Sequence, residues 1–177
     1  MALAVGTDFR APTGDEENLL GSGAPGVKPF ASLTFVHKAV APHVNVGYQW
    51  NGNSILAGNV AAKTKKDLPD QFLYTFGVDV GATKRLTLAF DVLGQRVINS
   101  PKLFASNDSF STLSGSAVVF PNISFKPDQS FNVINGSAGF KVNPVRNLLV
   151  GVNVLFKMND AGLRDKATPL IGFEYTF

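Results

Sequence analysis

The chain has 177 residues, enough for one domain and too few for two comfortable ones, and its 16 Lys and Arg against 13 Asp and Glu give a net charge of +3. Hydrophobic residues reach 45% while charged residues stop at 16%, below the roughly 25% of soluble domains, yet mean hydropathy is only +0.11, so the apolar residues are dispersed and not blocked. The lack of Cys excludes a disulfide scaffold and thiolate metal sites and fits passage through an oxidising periplasm; no stretch approaches the roughly 18 apolar residues of a spanning helix; and the scattered basic residues do not form a nucleic-acid footprint.

Eight segments alternate with a period of two, which places their apolar side chains on one face of a strand and their polar ones on the other. The first, 2–10, sets Leu3, Val5, Thr7 and Phe9 against Asp8 and Arg10, and a long Gly/Asp/Glu loop follows. The second, 27–37, sets Ala31, Leu33 and Phe35 against Lys28, Ser32 and Thr34, and a short exit over 38–42 leads to the third, 43–50, where Val44, Val46, Tyr48 and Trp50 oppose His43, Asn45, Gly47 and Gln49. After a long loop over 51–69, the fourth, 70–80, sets Phe72, Tyr74, Phe76, Val78 and Val80 against Gln71, Thr75 and Asp79. A tight turn at Gly81-Ala-Thr-Lys84 joins it to the fifth, 85–97, with Leu86, Leu88, Phe90 and Val92 opposite Thr87, Asp91 and Gln95.

The longest gap, 98–129, is rich in Ser, Asn and Pro, and Ala117 to Phe120 is a candidate strand extension within it. The sixth segment, 130–142, turns Ile134, Ala138 and Phe140 to the apolar side; a turn at Asn143-Pro-Val-Arg146 follows. The seventh, 147–158, sets Leu148, Val150, Val152, Val154 and Phe156 against Asn153 and Lys157, and the eighth, 167–177, sets Ile171, Phe173, Tyr175 and Phe177 against Glu174. Asn135-Gly136 is the strongest hairpin dipeptide in the chain, but a turn there would leave strands of about six residues, short of the roughly 9–11 that span a bilayer. It is read instead as a crowded spot or bulge inside one strand.

Connections alternate long, short, long, short, long, short, long, as in outer-membrane barrels with short periplasmic turns and long outer loops. The expected fold is therefore a single all-β domain over 1–177: an antiparallel up-and-down transmembrane β-barrel, eight strands of which are visible. Met1 is followed at once by a strand-like run with no basic, apolar leader, so a truncated piece of a larger barrel is expected. The apolar phase should face lipid, with interfacial aromatics Phe9, Phe35, Tyr48, Trp50, Phe72, Tyr74, Phe140, Phe156, Tyr175 and Phe177.

The polar phase should line the lumen, with Asp8, Asp79, Asp91 and Glu174 balancing Arg10, Lys28, Lys141 and Lys157, and with Asn45, Gln49, Gln71, Gln95 and Asn153 among them. Such a balance predicts no pronounced ion selectivity, and mutual pairing is at least as good a reading of these groups as solute guidance. Catalysis is not expected. The two histidines, His37 and His43, flank a turn at the periplasmic end and read as interfacial polar groups, away from the outer loops where a rim hydrolase site would sit. Gly14-Asp-Glu-Glu17 lacks the ligand spacing of a calcium loop, and Gly21-Ser-Gly-Ala-Pro-Gly26 lacks the lysine and helix of a phosphate loop. Lys63, Lys65 and Lys66 could meet lipopolysaccharide phosphates, although a solvated face is the better reading. No metal, cofactor or nucleic-acid partner is expected.

Arg10-Ala-Pro-Thr-Gly-Asp-Glu-Glu-Asn-Leu-Leu-Gly-Ser-Gly23, Pro42-His-Val-Asn-Val-Gly-Tyr-Gln-Trp-Asn-Gly52 with Leu68-Pro-Asp70, and Phe140-Lys-Val-Asn-Pro144 running on to Phe177 together resemble the outer-membrane transporter-like proteins grouped with the meta-pathway of phenol degradation. The resemblance implies an outer-membrane location, further strands before Ala2, passage of small hydrophobic or aromatic solutes, and no catalytic residues. The ending at Phe177 likewise resembles the C-terminal signal read by the outer-membrane barrel assembly machinery, so the expected partners are that machinery, the lipid bilayer with lipopolysaccharide, and a small-molecule solute. Two other readings compete with it: a non-transporting structural or adhesive barrel acting through its long loops, and a soluble lipocalin-like barrel with its apolar face turned inward.

Overall fold

A computed structural model describes the whole chain except Thr112, Ser114, Ser116, Arg146, Leu163 and Phe177. Ten strands follow in order: β1 (Ala2–Arg10), β2 (Gly26–Thr34), β3 (Val40–Asn51), β4 (Asn53–Asn59), β5 (Thr64–Asp67), β6 (Asp70–Gly81), β7 (Leu86–Ser111), β8 (Ala117–Val145), β9 (Leu148–Lys157) and β10 (Ala167–Tyr175). Eight of them form one antiparallel sheet in the order β1-β2-β3-β6-β7-β8-β9-β10, each paired with its neighbour along the chain. The sheet is open, because β1 pairs only with β2 and β10 only with β9.

The alternation in sequence is what builds this sheet. In register, Val44 meets Leu33 and Phe76, Phe76 meets Val92, Val92 meets Gly136, and Gly136 meets Phe156, so one face is apolar from strand to strand. Each such cross-strand pair contributes about 0.2–1 kcal/mol. No second layer covers the sheet. Among the described residues, only Ala24, Ile55 and Ala89 are buried hydrophobics, while Phe76, Phe90, Trp50 and Phe173 stay about half exposed or more. The total accessible area is 12319 Å², against the about 8,300 Å² that a compact soluble monomer of 18.9 kDa shows.

Several boundaries differ from the sequence expectation. The second strand stops at Thr34 and not at 37, so Phe35 and His37 lie beyond it; the third starts at Val40, with the turn at Lys38, whose φ of 52° lets the chain reverse between His37 and Val40. The expected loop over 51–69 contains the β4–β5 hairpin. The expected gap over 98–129 is mostly strand: β7 and β8 continue as a two-stranded ribbon, Lys102 to Ser111 against Ala117 to Lys126, with the candidate 117–120 segment inside it. Asn99 and Asp128, at φ 54° and 53°, each add one unpaired residue where the ribbon leaves the sheet. Such bulges shift the side-chain phase, which is why the alternation breaks here in the sequence. Strand β8 also runs on to Val145, past the expected turn start at 143, and Arg146 lies outside the described residues.

Asn135-Gly136 does lie inside a strand. A side chain at Gly136 would collide with the ring of Phe156, which lies across it from β9.

Candidate functional site

All thirteen polar-phase candidates, counted from Asp8 to Glu174, share one face of the sheet. Their partners differ from a simple four-against-four pairing. Lys28 Nζ meets Asp8 Oδ2 at 2.7 Å across the β1–β2 ladder, and Lys141 Nζ meets Asp79 Oδ2 at 2.9 Å. Asp91 Oδ1 instead takes His43 Nε2, at 2.9 Å. Lys157 pairs with the loop residue Asp160 at 2.6 Å, and Arg10 donates to Asn51 Oδ1 at 2.8 Å, where Gln49 also donates at 2.9 Å. Asn45 bonds Ser32, and Glu174 forms no ion pair among the described residues.

The His43–Asp91 pair was not visible in the sequence. The two residues are 48 positions apart and lie on β3 and β7, with β6 between them. They meet because the intervening residue on that row is Gly77, and any Cβ there would strike both side chains. Asp79 and Lys141 likewise span β7, beside Ala89, which is 3% exposed. His43 therefore stands on the polar face of β3, three residues in from Val40; His37 sits exposed at the β2–β3 turn.

The polar face also carries apolar side chains in the same phase. Phe30, Leu73, Leu93, Val97, Phe131, Val133, Leu155 and Leu170 stand among the charged groups by register. Phe30 lies over Gly6 and packs beside Gly47, and a groove of about 320 Å³ runs between Phe30, Leu73, Lys28, Asn45 and Thr75. The period of two that places the polar residues places these apolar ones on the same face, so the signal for them lies in the alternation and not in residue type.

On the other face the expected interfacial aromatics take the apolar phase: Tyr48 and Trp50 rings lie 4.8 Å apart, Phe72 and Tyr74 5.9 Å, and Phe9, Phe140, Phe156 and Tyr175 follow the same alternation. Phe177 lies outside the described residues.

Beyond the long-loop end of the sheet, the loop over 11–25 docks on the β4–β5 hairpin. Glu16 Oε2 accepts from Ser54 Oγ and the Ile55 amide, both at 3.2 Å, and Oε1 takes Lys65 Nζ at 2.6 Å. Lys65 beside it is the main reason that the Glu16 carboxyl titrates below its ordinary range, with burial opposing. Glu17 takes Lys63 at 2.7 Å, and Asp15 caps the amides of Glu17 and Asn18. The Asp15, Glu16 and Glu17 carboxylates are thus all held by protein groups, and two of the three clustered lysines, Lys63 and Lys65, have acidic partners.

No protein-family model matches this chain, and no curated protein matches it in sequence.

Proposed function

We propose that this chain forms wall of a bacterial outer-membrane β-barrel through which small solutes pass, the apolar phase facing lipid and the polar phase lining the lumen. The observation that carries the reading is a single-layer sheet with an exposed apolar face and a charged opposite face whose ions pair with one another. Water gives such a face nothing to pack on; hydrocarbon does. The open edges β1 and β10 run antiparallel, so in the membrane they pair with each other or with further strands, since unpaired backbone groups cost several kcal/mol each in lipid. Direct closure with eight strands gives an interior filled by side chains, an anchor; additional strands give a pore. A larger barrel, in keeping with the family resemblance, is the version that conducts.

The lumen mixes paired charges with Phe30, Leu73 and Leu93, which suits small, partly hydrophobic or aromatic solutes. The test is conductance and liposome swelling with the protein in lipid. Permeation of small neutral aromatics supports the reading, and a sealed membrane removes it. A second reading, a binding barrel that acts through its outer segments, draws on the folded hairpin and ribbon there. Deleting 100–129 separates the two: a pore keeps its permeability, an adhesin loses its ligand.

A further inference from the structure

Beyond the two bulges the strands of the β7–β8 ribbon pair only with each other. The β6 ladder on β7 ends at Ile98 and the β9 ladder on β8 begins at Asn135, so 102–111 and 117–126 each keep one edge without a strand partner among the described residues. The faces of the ribbon are open as well: Phe104, Phe110, Val119, Phe120, Ile123 and Phe125 are all about half exposed or more. A lone two-stranded hairpin is marginally stable at best in water, and three or more strands, or a packed layer, are needed for it to hold.

The two free edges are not equivalent. Pro121 and Pro127 deprive β8 of two backbone donors, whereas no proline lies within 102–111. The β7 edge is also complementary to itself. Lys102 stands directly opposite Lys126, a like-charge pairing that destabilises a ladder, and neither meets a carboxylate among the described residues. Asp108 follows on the same face as Lys102; it accepts from Asn122 and forms no ion pair among the described residues. Laid antiparallel on a second copy, with Ala105 against Ala105, this edge sets Lys102 of each copy directly opposite Asp108 of the other. Phe104 of each copy then lies diagonal to Phe104 of the other, at the roughly 7–8 Å that aromatic side chains bridge. Slipping the copies by two residues opposes Lys102 to Ser106 or Phe110 and loses both ion pairs.

We propose that the free edge of β7 over 102–108 is an interface between two copies of this chain, joined antiparallel about Ala105 into a four-stranded sheet of order β8-β7-β7-β8. The contact is isologous, one patch serving both partners, so association closes at a dimer. It takes the ribbon past the two-strand limit, brings a carboxylate to each Lys102 and pairs the open backbone groups of both edges at once. The proposal does not depend on which face of the wall meets lipid or on passage of a solute.

The full chain in detergent micelles is followed by sedimentation equilibrium, and single cysteines report the contact, since the chain has none of its own. Ala105→Cys sets two thiols directly opposite each other across the twofold, with Cβ atoms about 4.5–5.5 Å apart, and mild oxidation should give a covalent dimer. Val119→Cys, exposed on the β8 strand, should not cross-link. Lys102→Asp or Asp108→Lys alone opposes like charges and should weaken the dimer about tenfold or more. The exchange Lys102→Asp with Asp108→Lys should restore it, which a ribbon that had simply lost its fold could not do. A chain that sediments as a monomer, its ribbon then left to a foreign surface, overturns the proposal. So does Val119→Cys cross-linking as readily as Ala105→Cys, or a double exchange no tighter than either single change.

Discussion

The assignment of faces can be tested at two adjacent residues of β9. Val152 lies near the middle of this ten-residue strand, between Phe140 and Ile171 in the apolar phase, and Asn153 lies next to it on the other face. Under the proposed facing, on a strand tilted by about 45° and rising about 3.4 Å per residue, Val152 would sit roughly 12 Å from either boundary, beyond the comfortable reach of an arginine side chain. Val152→Arg should therefore cost about 2–4 kcal/mol, the penalty of a cation at the bilayer midplane. That corresponds to roughly 30- to 700-fold in the folding equilibrium, at 1.4 kcal/mol per factor of ten. Asn153→Arg should cost under about 1 kcal/mol, as substitutions on a hydrated surface do, because Gly151 and Gly172 leave open space beside it. Val152→Ala corrects for the lost side chain. The assay is urea titration of the protein folded in phospholipid vesicles, followed through Trp50, the single Trp, which is half exposed on the apolar face. Equal losses from the two arginines, or a larger loss from Asn153→Arg, would refute the facing.

Three further outcomes follow from local geometry. Gly77→Ala should separate His43 from Asp91 and destabilise the sheet by about 1–3 kcal/mol, the range of overpacking, with the imidazole resonances moving in NMR; unchanged shifts would contradict the crossing described above. Glu16 has a depressed carboxyl pKa in the folded state, so its contribution is complete above its ordinary value of 4.5 and fades as pH falls through the lower folded value. Proteolysis within 11–25 should accordingly be flat from neutral pH down to about 5 and rise in stronger acid, and Glu16→Gln should show the raised rate at neutral pH. Arg164→Ala should free the segment after β9 and speed amide exchange at Ile134, whose amide is held by Asn159; Lys at 164 should not restore protection, because it lacks the planar fork that reaches Asn159 and Ile134 together.

Much of the sheet was legible because one physical rule, side chains alternating across a strand, acts on nearly every wall residue. Val44, Val46, Tyr48 and Trp50 announce β3 without help from any partner strand. What escaped depends on relations between distant residues. The bulges at Asn99 and Asp128 reset the alternation, so Phe104, although even-numbered like Phe90, stands in the other phase, opposite Ser124. Ile55 is a buried apolar residue that makes sense only once the loop carrying Glu16 has docked on the β4–β5 hairpin. His43 and Asp91 find each other through ladder alignment, which no single segment encodes. Open edges, too, are a property of the assembled sheet and have no local signature.

The two strand-skipping contacts, His43 with Asp91 and Lys141 with Asp79, act as a registration mark. Moving β6 by two residues would preserve its faces but replace Gly77 with Thr75 or Asp79 beneath the His43–Asp91 pair, and the same slip of β7 would bring Thr87 or Asp91 to the place of Ala89. Neither shift leaves room for the crossing side chains. A wall built from repetitive alternation has many near-equivalent alignments, and these two small residues penalise all but one, so misaligned intermediates are disfavoured while the strands are still being laid side by side.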